Sequence, residues 1–356
     1  MTAATVLRRA SALLALLALA TLGTAHDGRA GRDAMRLSGP PVAETLPLIA
    51  LAMHDGGGDA RGVSDKPSPL PTCVFTPWHS PDQLRAMVAG GQVDAALVTV
   101  AAASRLAERG VPVRVVAILS SPGWILSAHG PLRSMDDLRG KEILLPFGPG
   151  EMPEALFTAV AAGHGLTRAR DYALRNGSNA MEVVQHLLLG HADYAFVSEP
   201  AATLAVSRSA EGSRPLVRGL DLRAAWAEAF PACPELPATA VVLFGPRAAD
   251  PGLARDLNAA FRAAAARILA DPGPVMAEAA EHFPEFTALP DAWRLLAGTR
   301  ILDQTGAEEA VRFYLETLRA AAPGLRVGDL PHGAFSHAAP AAQGSPASSP
   351  VPSPVP

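Results

Sequence analysis

The phrase GQVDAALVT at residues 91–99 returns as GHADYAFVS at residues 190–198, with the shared pattern G-x-x-D-x-A-x-V-[S/T] offset by 99 residues. Each copy has the same lead-in. Ser80-Pro81-Asp82-Gln83 reads as a capping box with proline at the first helical position, and Asn179-Ala180-Met181-Glu182 stands at the same offset. A capped helix, a glycine turn, and a buried strand that ends in a hydroxyl residue are thus written twice. Further β-branched runs at 113–118, 142–145 and 240–244 read as buried strands, and helical patterns fill 153–163 and 253–270. Strands alternating with helices imply strand-helix-strand units and a mainly parallel sheet. The repeat makes two similar α/β lobes the expected architecture, each with its own sheet. In open parallel sheets ligands sit beyond the carboxyl ends of the strands, where Thr99 and Ser198 fall, so one ligand held between two lobes is expected.

The rest of the chain sets bounds on that scheme. Its 356 residues include a globular-looking stretch longer than one hydrophobic core usually spans. Arg8 and Arg9, the apolar run 11–20 and the small residues at 23–25 read as an export leader cleaved near Ala25, because a membrane anchor needs about 20 apolar residues. The mature chain then begins near His26 and works in the periplasm. Residues 338–356 are Pro/Ala/Ser-rich and read as a disordered tail. Net charge is −4 with no basic stripe, which excludes a nucleic-acid partner. The 10 histidines are scattered without H-E-x-x-H spacing, and no G-x-S-x-G occurs. Cys73 and Cys233 lie in different segments without a nucleophile signature and read as separate thiols. No metal, cofactor or catalytic site is expected.

The order PPVAETLPLIALA, TPWHSPDQLRAMVAGGQVDAALVTVAAASRLAERGVPVRVVAIL, SMDDLRGKEILLPFGPGEMPEALF and LLLGHADYAFVSEPAATLA resembles the nitrate/sulfonate/taurine-type substrate-binding proteins of bacterial ABC transporters. The resemblance covers 35–318. It implies a type II periplasmic-binding-protein fold, with a first lobe from 34–123, a second from 124–241, and a return to the first lobe with C-terminal helices over 242–335. Two crossing strands are placed at 124–128 and 239–244. It also implies a monomeric receptor that closes on a small-molecule solute and hands it to an ABC permease with its ATPase. A periplasmic sensing module would use the same closure, and an exported enzyme would require turnover of a bound compound. Thiamine-pyrimidine synthases use a related fold, but their cysteine-rich motif is absent.

Candidate ligand residues follow from position in this fold. Ser38, Gly39 and Pro40 lie between a strand and a helix, where backbone N–H groups either hold an oxyanion or form a plain turn. Trp78 and His79 precede the first capped helix, and the indole either stacks on ligand or joins the core. Phe147 and Met152 flank a Gly-rich loop without a P-loop lysine and can wall an apolar pocket. Thr99 and Ser198 end the repeated strands. Glu199 either binds an amine or favours a helix N-terminus, with the helical role preferred. Asp94 and Asp193 read as turn residues. Nitrate or sulfonate sites want donors without carboxylates, yet Glu151 and Glu199 stand beside the expected cleft. The ligand is therefore expected to be a small organic molecule, heterocyclic or amine-bearing, stacked on Trp78 or Trp124.

Overall fold

The structure, a computed structural model, describes residues 34–53, 70–322 and 327–335; the leader read over 1–25 and the tail read over 338–356 lie outside them. The chain opens with β1 (Met35–Gly39), β2 (Cys73–Pro77), β3 (Ala95–Thr99) and β4 (Val113–Ser120). It then builds a second sheet from β5 (Gly123–Ser127), β6 (Lys141–Leu145), β7 (Tyr172–Asn176), β8 (Tyr194–Ser198) and β9 (Val217–Asp221). Finally β10 (Thr239–Phe244) and β11 (Arg300–Ile301) return to the first. The strand orders are β11-β4-β10-β3-β1-β2 and β7-β6-β8-β5-β9.

The repeated phrase occupies matching places in the two sheets. Strand β3 runs parallel to β1 and antiparallel to β10, and β8 runs parallel to β6 and antiparallel to β5. The turn glycines Gly91 and Gly190 take φ of +62° and +75°, a region side chains disfavour. The two aspartates each meet arginine. Asp94 Oδ2 accepts from the Arg36 backbone N–H at 2.8 Å and Nε at 2.9 Å, tying β3 to β1. Burial works against the Asp94 anion, but these Arg36 contacts hold its carboxyl below the usual range. Asp193 pairs with Arg214 and lies 3.2 Å from His129 Nε2.

The lobe crossings fall in loops. Both β5 and β10 are paired on each side within a single sheet, leaving no backbone groups for the other. The chain therefore passes to the second lobe at Ser121-Pro122 and returns over 230–238, rather than within 124–128 and 239–244.

Helices cover the sheets: α1 (Leu46–Met53), α2 (Pro81–Ala89), α3 (Val100–Glu108), α4 (Met152–Gly163), α5 (Ala180–Leu188), α6 (Ala201–Ser209) and α7 (Leu222–Ala229). After β10 come α8 (Pro251–Ala270), α9 (Gly273–His282), α10 (Pro284–Ala288) and α11 (Gln304–Ala321). Helix α8 starts where Asp250 Oδ1 accepts the Leu253 N–H at 3.0 Å, and Leu253, Leu257, Phe261 and Ala264 recur at helical spacing against the first sheet. Helix α11 instead crosses to the second lobe and packs on α4. Its Tyr314 meets Trp226 of α7 at 5.5 Å between ring centroids, both fully buried. One apolar cluster joins Val98 and Val115 of the first sheet to Ile143 and Leu145 of the second, so the core runs through the hinge. Cys73 and Cys233 are not joined in a disulfide, and the Cys73 thiol donates to Pro71 O at 3.3 Å.

Candidate functional site

A cavity of about 390 Å³ lies where the carboxyl ends of β1, β2, β3, β6 and β8 converge. Both lobes and both crossings contribute to its wall. The first lobe supplies Pro40, Trp78, His79 and Thr99; the second supplies Phe147, Met152, Ser198 and Glu199; Ser121 and Ala238 come from the crossings. This volume falls in the range of small-molecule sites, and a mostly apolar wall with a few polar groups is their usual chemistry.

Eight of the expected residues are thus gathered on one wall, and four stand elsewhere. Ser38 is fully buried behind it, donating its hydroxyl to Thr76 O at 2.7 Å. Gly39 fits against Thr45, where a β-carbon would lie 2.6 Å from the threonine side chain. Trp124 lies under Arg218, 5.4 Å from ring centroid to guanidinium, and faces the second lobe's own core. Glu151 points away from the cavity into an inter-lobe ion pair with Arg85 at 3.3 Å and Arg105 at 2.8 Å.

The strand ends that reach the wall are fixed by helix caps. Thr99 Oγ1 accepts the Ala102 N–H at 3.1 Å, and Asn179 Oδ1 accepts that of Glu182 at 2.9 Å. In the second copy of the repeat the capping role shifts one residue, from Ser198 to Glu199. Its Oε2 accepts the Thr203 N–H at 2.9 Å and hydroxyl at 2.8 Å, while Oε1 accepts Arg218 at 2.8 Å. Phe147 holds φ of +68°, uncommon for a residue with a side chain, at the turn that places it on the wall.

Two carboxyl groups on this wall carried no sequence signal. Glu44 follows the turn after β1 and is 8% exposed; burial pushes its carboxyl up, against hydrogen bonds from Ser121 and its own backbone, and the nearby Glu199 charge adds to the rise. Glu285 comes from α10, far along the chain. Its Oε2, the Trp78 Nε1 and the Thr239 Oγ1 are each sealed from water without a hydrogen-bond partner. Buried polar atoms usually find partners, so these three leave donors and an acceptor on the wall that a bound molecule can meet.

A family model described as NMT1/THI5 like matches residues 76–273. No curated protein matches the chain. Among solved structures, an ABC transporter protein from Parabacteroides distasonis shares 19% identity over 83% of this chain and 97% of its own, with a TM-score of 0.61. The periplasmic aliphatic sulphonate binding protein SsuA from Escherichia coli shares 13% over 80% of this chain and 93% of its own, with a TM-score of 0.60. A ligand-binding component of an ABC-type import system from Staphylococcus aureus, with zinc bound, shares 11% over 87% and 100%, with a TM-score of 0.57. These likenesses are of fold, and the fold is the two-lobed α/β architecture expected from the repeat.

Proposed function

We propose, on the premise that this chain belongs to the NMT1/THI5-like family, that it is an extracytoplasmic solute-binding protein that closes on a small molecule by hinge motion and delivers it to an ABC permease. The observation that carries this is the cavity itself. Its wall is assembled from the facing strand ends of two sheets, so ligand contacts form together only when the lobes approach. The fold of importer components supports the same role. Glu199 is held in place on the wall by Arg218 and Thr203. A leader at 1–25 would send the chain to the periplasm, where a monomer suffices for this task.

The test is a thermal-shift screen of the exported chain against nitrate, sulfonates, amines, pyrimidines and small aromatic acids, with each hit examined by mass spectrometry. A solute at a hundred times its dissociation constant should add about 2.7 kcal/mol, read as a raised melting temperature. Recovery of the compound unchanged supports a receptor; its chemical conversion would establish an enzyme instead.

A further inference from the structure

The cavity wall constrains the class of solute. Its titratable side chains are Glu44, Glu199, Glu285 and His79, and among the described residues no lysine or arginine lines it. Glu199 is neutralised from behind by Arg218. Glu285 keeps a carboxylate oxygen sealed from water with no partner, and Trp78, 7% exposed, keeps an indole N–H in the same condition. Neither atom can stay unpaired in a closed, liganded cleft without cost.

An anion would need converging donors and a cationic partner; the wall offers the unpaired Trp78 N–H and Thr239 hydroxyl but, among the described residues, no lysine or arginine, and side-chain caps occupy part of its helix starts. Thr99, Asn179 and Glu199 each accept one first-turn N–H, from Ala102 of α3, Glu182 of α5 and Thr203 of α6. Helix α4 has no side-chain cap, but its second residue is Pro153, which has no N–H. An unpaired Glu285 carboxylate would repel a sulfonate or nitrate within a dry cleft, where charges act strongly.

We infer that the solute is an organic cation. It has a compact apolar body packed against Phe147, Met152 and Phe196, an amine, amidine or protonated ring nitrogen that donates to Glu285, and an acceptor atom for the Trp78 N–H. This inference rests on the solute-receptor reading of the same cavity and narrows it.

The test uses matched compounds that differ mainly in charge: benzylamine and 4-(aminomethyl)pyridine, the corresponding alcohols, and the corresponding sulfonates, titrated by calorimetry into the full exported chain. Each amine is expected to bind at least tenfold more tightly than its alcohol, with no binding of the sulfonate. Glu285→Gln should weaken amine binding by about 10-fold or more and leave the alcohol unchanged. Should that variant melt differently without ligand, Trp78→Phe, which keeps a ring and removes the N–H, is expected to lower amine affinity severalfold. A sulfonate that binds as well as its amine, or Glu285→Gln that binds amine like the parent, overturns the cation and leaves the receptor standing. A folded chain that binds none of the amines rejects the cation too. Conversion of a bound compound would instead remove the receptor reading beneath it.

Discussion

Glu44 is a carboxyl whose burial disfavours its charge, with Glu199 adding to the effect. The sign for stability follows. Between its ordinary value and the raised value in the fold, the folded chain holds a proton that the unfolded chain has lost, so stability falls as pH rises through that window. Glu44→Gln removes this cost without changing shape, so its melting temperature relative to the parent should climb from pH 4 to pH 7. A constant difference across that range would show that Glu44 is charged in the fold. At this scale the sequence was partly legible. Trp78, Thr99 and Ser198 could be placed because they end strands or precede capped helices, and those signals are local. Glu285 could not, because α10 reaches the wall only through the packing of the chain after β10, and a glutamate in a short helix looks like any solvated one. Glu151 misled for the converse reason. Its loop was placed correctly at the cleft, but its side-chain direction depends on Arg85 and Arg105 in the other lobe.

That ion pair belongs to the scale of elements. Arg85 lies on α2 and Arg105 on α3, both in the first lobe, while Glu151 opens α4 in the second. Arg105 also donates to Gly150 O at 3.1 Å. The loop before α4 is thus held to two helices across the mouth between lobes. Such a contact exists only when the lobes are together, so it biases the closed state without touching solute. Partly exposed pairs contribute about 0.2–1 kcal/mol. Glu151→Gln should therefore raise the solute dissociation rate about 1.5- to 5-fold, read by stopped-flow fluorescence, with little change in melting temperature. An unchanged rate would assign the pair to static packing. Among the elements, α2 begins at Pro81 and α5 at Ala180, where their caps at Ser80 and Asn179 place them. Strands β7 and β9 went unread because they are edge strands, half-buried along most of their length, and show no apolar run.

Over the whole molecule, one apolar cluster spans both lobes beside the cores that each keeps to itself. Trp226 of α7 is fully buried against Tyr314 of α11, and donates its indole N–H to Cys233 O at 3.0 Å in the returning crossover. Trp226→Ala removes the ring from the joint and should cost about 3–5 kcal/mol in urea unfolding. The parent should lose both sheets in a single transition, observed as simultaneous hydrogen exchange in β3 and β8. Two separated transitions would show lobes that fold apart and merely touch. The two-lobed architecture was legible from the repeat, but the cluster that spans both lobes was not, because α11 carries an amphipathic pattern that suits either lobe.

Helix α11 also comes late in the chain, after every strand of both sheets. As the polypeptide emerges from the ribosome, the second lobe's strands are made while the Trp226 face still lacks its cover. That face stays open until residues 304–321 have been synthesised, so the second lobe is completed only after the first sheet has received its final strand.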